Sequence, residues 1–219
     1  MVKVRVVFEK KGRAKYISHL DLNRCMQRTF KRSGLPVWYT EGFNPHIYIM
    51  FALPLSLGYD SSVEIMDFNL NEEVPFDEIT DRLNSVMPEG LRAVKAFSPV
   101  NKHTAIKSAL FRISFKTDDP ENLSRKFDEF MSQEQINTVK KTKRGGEKLI
   151  DLKPDISILN TGISTGRFEV NAVFPAGTEK NLNPSLLTDL FEEFCENDIQ
   201  GISVKRTGIF MGNMNQEFV

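Results

Sequence analysis

Apolar and charged positions alternate over residues 2–8, VKVRVVF, with Val2, Val4 and Val6 on one parity and Lys3 and Arg5 on the other. That period of two predicts a strand. The period lengthens after Ser18. Leu22, Met26 and Phe30 recur at every fourth position with Cys25 beside them, which predicts a helix over residues 19–33. Ser18 is placed as its N-cap, Asp21 stands at N3 where an acid complements the helix start, Gly34 is a C-terminal stop and Pro36 forbids continuation. Residues 37–40, 47–53 and 62–70 then read as strands, residues 75–86 as a helix with Phe76, Ile79, Leu83 and Val86 on one stripe, and LRAVKAF as a strand.

The second half repeats this order. Residues 109–116 read as a strand and 120–131 as a helix opened by TDDPE. Residues 136–141 and 148–152 read as a hairpin around KRGGE, where the glycines supply positive φ. Residues 155–159 and 167–174 read as strands. A helix over 184–196 buries Leu186, Leu187, Leu190, Phe191 and Phe194, and residues 202–206 close as a strand. The order β-α-β-β-α-β, met twice, predicts an α+β fold of two tandem ferredoxin-like units with antiparallel or mixed sheets. The units divide as residues 1–98 and 105–211, with a tail at 212–219.

The 219 residues carry equal numbers of basic and acidic side chains, unevenly placed. Residues 1–50 hold ten Lys or Arg against three acids, residues 51–100 three against nine, and residues 138–153 six against two. Local basic patches on a neutral chain can hold phosphates, although charges also serve simply to solvate a surface. No apolar run approaches the roughly 18 residues of a membrane span. The first segment has charges inside its apolar stretch, unlike a signal peptide, so a cytoplasmic protein without a membrane partner is expected. Cys25 and Cys195 stand far apart, outside any metal-binding spacing, and read as small core residues in a reducing compartment.

The densest group of unusual residues is Arg13, Lys15, Tyr16, Ser18, His19, Asp21 and Arg24, followed by Glu41, Gly42, Phe43, Asn44, Pro45 and His46. The start of the first helix and the loop after the second strand can meet at a sheet edge. His19 and His46 are then candidates for one cleft, as acid and base with Asp21 or Glu41. Arg13 and Lys15 beside a helix start make an anion site physically sensible. The same residues have plainer uses. Asp21 is a helix-start acid, His19 a first-turn surface residue, and GFNPH a turn fixed by Asn-Pro. The spacing matches no known metal-ligand set, Ser18 is better used as a cap than as a nucleophile, and Gly145-Gly146 is no P-loop. Arg24, Arg28 and Arg32 share a helix face, and Lys140, Lys141, Lys143, Arg144 and Lys148 cluster at the hairpin. Both are expected phosphate-backbone contacts.

The segments SHLDLNR, GLP, GFNPH and LPLSLG, in this order and spacing, resemble the bacterial radical-SAM-linked family, whose domain has no assigned activity. The resemblance is strong over about the first 70 residues and continues by element order. Ile47 departs from it, since a proline usually follows the histidine. Members of that family are encoded beside, or fused to, a radical SAM protein, and often near genes for RNA processing and ribosomal proteins. The resemblance therefore implies a radical SAM partner and an RNA context. The chain lacks the CxxxCxxC that would hold a SAM cluster, so it is not itself the radical enzyme. The expectation is an RNA-binding or substrate-presenting accessory protein with no cofactor. The alternatives are an RNA-acting enzyme centred on His19 and His46, or a protein-interaction adaptor without nucleic acid.

Overall fold

The computed structural model describes residues 1–141, 146–212, 214 and 216–218. In these residues the chain is mixed α+β, with four helices and a sheet that is mostly antiparallel and partly parallel. The first half runs β1 (Val2–Lys10), α1 (His19–Ser33), β2 (Ile49–Phe51), β3 (Asp60–Leu70), α2 (Phe76–Asn84) and β4 (Leu91–Phe97). The second runs β5 (Ser108–Lys116), α3 (Pro120–Ser132), β6 (Asn137–Lys141), β7 (Glu147–Asp151), β8 (Ser157–Ser164), β9 (Arg167–Pro175), α4 (Ser185–Cys195) and β10 (Gly201–Phe210). Most of the expected elements are present, with shifted ends. Residues 37–40 form only single bridges, Val37 to Leu70 and Tyr39 to Ile47, and the strand read at 155–159 runs instead over Ser157–Ser164.

The sequence predicts two sheets, and the strands join into one. Its order is β4-β1-β3-β10-β5-β9-β8, with β2 also on β3 and with β6-β7 as a separate hairpin. β3 explains the join. β1 pairs antiparallel along nearly all of one edge, from Val2 opposite Leu70 to Lys10 opposite Ser61. The other edge is divided: β2 takes Met66–Phe68, and β10 runs parallel beside Asp60 and Ser61. A strand of 11 residues is long enough for both neighbours.

Two apolar clusters hold the chain. Val4, Val6 and Phe8 of β1 with Met66, Phe68 and Leu70 of β3 pack on Leu22, Met26 and Phe30 of α1 and Ile79 and Leu83 of α2. The rings of Phe30 and Phe68 lie 4.5 Å apart. In the second half Phe115 and Phe168 face Phe127 and Phe191, with Phe127 and Phe191 edge to face at 5.1 Å. Each such ring buries enough apolar area to contribute about 2–3 kcal/mol. Part of the stretch expected to be a tail packs on the sheet: Met211 N–H donates to Gln216 O at 3.0 Å, and Phe218 is buried. Gly177 adopts φ +119°, and a Cβ there would collide with the Ile106 carbonyl, so only glycine fits this turn.

Candidate nucleic-acid interface

α1 begins as its sequence demands. The Asp21 N–H donates to Ser18 Oγ at 3.1 Å, and the Ser18 hydroxyl donates to Asp21 Oδ2 at 2.7 Å. That second bond, more than the nearby Arg24, holds the Asp21 carboxyl below its ordinary range. Arg24 pairs with Asp21 at 3.3 Å. Arg32 donates to the Val86 carbonyl at 3.0 Å and so leans toward the end of α2. Arg28 is exposed and has no ion pair among the described residues. The arginine face therefore presents one uncommitted guanidinium flanked by two that are tied.

The other basic residues before α1 are also spread. Arg13 reaches Glu89 at 3.5 Å with both side chains in solvent. Lys15 reaches Asp60 at 3.6 Å and lies 5.2 Å from the Tyr16 ring. His19 sits edge-on to Phe51 of β2, with ring centroids 5.2 Å apart.

Residues 39–47 close as a tight loop. Thr40 N–H donates to His46 O at 2.8 Å, and His46 N–H donates to Thr40 Oγ1 at 3.1 Å. The His46 ring Nδ1 lies 3.1 Å from Thr40 Oγ1 and 3.0 Å from Asn44 O. Gln27 of α1 donates its amide to Ile47 O at 2.7 Å, which ties the foot of the loop to the helix. Gly42 takes φ +118°, and Phe43 beyond it is wholly exposed. Glu41 and Asn44 are exposed beside it. No hydrogen bond, ion pair or ring contact joins His19 to His46 among the described residues.

The hairpin of β6 and β7 pairs from Asn137 opposite Asp151 to Lys141 opposite Glu147. Its base is anchored: Ile136 and Leu152 are in the core, and Asp151 accepts from the N–H groups of Ile136 and Lys153. Lys143 and Arg144 lie outside the described residues, as do the side chains of Lys140 and Lys141.

A set of buried charges escaped the sequence reading. Arg5 is fully buried and forks onto Asp67, with Nε to Oδ1 at 2.7 Å and Nη2 to Oδ2 at 2.8 Å. Arg206 and Glu64 pair where β10 meets β3, and Lys10 is buried near them. Strand alternation assigns Lys3, Arg5 and Glu9 alike to solvent. The available signal was in β3, where Glu64 and Asp67 interrupt an otherwise apolar run. Acids inside a strand covered on both faces need buried cations.

Comparison with known proteins adds the following. A model of DUF2344, described as an uncharacterized protein conserved in bacteria, matches residues 3–184. No curated protein matches. Among solved structures, the chain is similar to an unknown protein from Galdieria sulphuraria at 12% identity, over 94% of this chain and 98% of that one, with a TM-score of 0.26.

Proposed function

The chain belongs to the DUF2344 family of proteins conserved in bacteria, and we propose that it is an RNA-binding accessory protein that presents RNA to a radical SAM enzyme. The observation that carries the RNA half of this reading is Phe43. Its ring is wholly exposed at the tip of a loop that hydrogen bonds at Thr40 and His46 hold closed. An aromatic ring held out in water has no folding role there. Unstacked bases have flat faces that such a ring covers. The tie from Gln27 to Ile47 brings this loop to α1, where Arg28 can meet a phosphate. The radical SAM partner rests on the resemblance carried by SHLDLNR, GLP, GFNPH and LPLSLG.

The sheet supports a finer reading of the fold as two ferredoxin-like βαββαβ units side by side. The first half pairs in the order β4-β1-β3-β2 and the second in the order β10-β5-β9-β8, the same order in each. The β6-β7 hairpin is then an insertion after α3, and its basic tip is a second phosphate contact.

Fluorescence anisotropy with single-stranded and structured RNA, from about 50 to 200 mM salt, tests the proposal. Binding that falls steeply with salt and weakens in both Phe43→Ala and Arg28→Glu supports it. Absence of binding at the low-salt end sinks it. Salt-insensitive capture of a protein partner alone favours an adaptor. Turnover of RNA that is lost on changing His19 or His46, with binding retained, favours an enzyme.

A further inference from the structure

The face of the first sheet opposite Val4, Val6 and Met66 carries a cavity of about 380 Å³, within the range of small-molecule sites. Its floor is the Arg5–Asp67 pair. Arg5 also donates to Asn101 O at 2.9 Å and stacks its guanidinium 4.4 Å from the centre of the Phe218 ring. Asp67 is thereby neutralised and rigid. The charge that remains belongs to Lys3 and Lys102, with His103 beside them, and neither lysine has an ion pair among the described residues. The cavity therefore favours an anion.

Two further side chains say more about that anion. Asn69 is only 8% exposed, and its carboxamide has no hydrogen-bond partner among the described residues, although it lines the cavity. Its amide atoms are not sealed off in the interior, so they offer a donor and an acceptor side by side to a ligand in the cavity. Tyr48 is 40% exposed and lines the same cavity, with its ring edge-on to Trp38 at 6.5 Å. An aromatic face, a paired donor and acceptor, and free cations within one cavity match a base, its hydrogen-bonding edge and a phosphate.

We propose that this cavity binds one nucleotide unit, with the base on Tyr48 and Asn69 and the phosphate on Lys3 and Lys102. A free ribonucleoside monophosphate and a nucleotide within an RNA strand present the same chemistry. Only the second source rests on the RNA-binding reading above.

The test is titration calorimetry of the full chain with AMP, GMP, CMP, UMP, inorganic phosphate and a short single-stranded oligoribonucleotide. The variants are Lys3→Glu/Lys102→Glu, Tyr48→Ala and Asn69→Leu, each checked by its thermal melt, with Phe43→Ala/Arg28→Glu as a separate arm. At least one nucleotide should bind more tightly than phosphate, and the double charge reversal should weaken it about tenfold or more. Tyr48→Ala and Asn69→Leu should bring nucleotide binding down toward that of phosphate. Mononucleotide binding retained in Phe43→Ala/Arg28→Glu marks a free-nucleotide site. Oligonucleotide binding alone, weakened by the cavity variants, marks an RNA site. Should Asn69→Leu fail to fold, the surface pair Lys3→Glu/Lys102→Glu decides. Phosphate binding as tight as any nucleotide, or oligonucleotide binding that only Phe43→Ala/Arg28→Glu reduces, overturns the cavity proposal. The second result leaves the RNA proposal standing.

Discussion

The Arg206 guanidinium donates to the Glu64 carboxylate across the seam where β10 runs parallel to β3. Both side chains are almost fully buried, and Arg206 also donates to Leu53 O at 2.7 Å. Removing one member leaves the other charged and unpaired in the interior. Arg206→Met should therefore destabilise the chain by about 3–5 kcal/mol. Arg206→Met with Glu64→Leu should recover much of that loss, because an apolar pair of similar volume carries no desolvation penalty. Urea denaturation of the single and double variants measures the difference. Equal losses in the two would mean that the cost does not come from a stranded Glu64 charge.

Lys10 gives a pH dependence near the same seam. Burial lowers its pKa, against the pull of Glu64 in the other direction. The unfolded chain therefore holds this proton to higher pH than the folded one. Between the folded value and the ordinary value of 10.5 the unfolded state binds more protons, so unfolding becomes harder as pH rises. The stability of the wild type relative to Lys10→Met should improve as pH climbs from neutral toward 10. Denaturation midpoints taken across that range check the sign, and a constant gap would contradict it.

How much of this was legible in the chain depends on whether a neighbour in sequence or in space decides. Ser18 and Asp21 set the start of α1 through bonds within three residues and Gly34 ends it by its left-handed backbone, so the cap at 3.1 Å follows from the sequence. The hairpin around residues 137–151 is likewise local. The joining of the halves is not, since it depends on β3 being long enough to offer one edge to two strands. Arg5 and Asp67 stand 62 residues apart, and nothing in β1 alone says that its second face is covered. In the candidate interface the residues were legible but not all of their partners were. Arg24 stands three residues from Asp21, so that pair follows from helical spacing, whereas only the folded chain ties Arg32 to the Val86 carbonyl.

The two thiols should separate chemically. Burial pushes the Cys195 thiol up to about 11, while Cys25 is partly exposed. The thiolate is the reactive form. Iodoacetamide at about pH 8, with mass mapping of the product, should label Cys25 well before Cys195 in the folded chain. The order should level in denaturant. Faster labelling of Cys195 in the native chain would contradict the packing of α4.

Ser18→Ala removes both the cap of α1 and the hydroxyl that holds the Asp21 carboxyl below its ordinary range. The expected loss is about 1 kcal/mol of stability. Ser18→Asn should restore most of it, because its amide oxygen also accepts at the N-cap and no second carboxylate is set against Asp21. Thermal melts of the two variants measure the capping role, and no recovery in Ser18→Asn would contradict it.

The three arginines of α1 should not contribute equally to RNA binding. Arg24 would have to leave Asp21, and Arg32 would have to leave the Val86 carbonyl, before either met a phosphate. Arg28 has no such bond to give up among the described residues. Arg28→Glu should therefore weaken binding most and lower the slope of log affinity against log salt by about 1. Arg24→Glu and Arg32→Glu should have smaller effects on the slope, and Arg24→Glu should also cost some helix stability beside Asp21. Because phosphate contacts position a ligand without reading it, the Arg28→Glu loss should be similar across RNA sequences. Anisotropy at three or four salt concentrations gives each slope. Equal losses for all three substitutions would mean that the bonds seen at Asp21 and Val86 do not restrain these side chains in solution, and that the whole face acts as one patch.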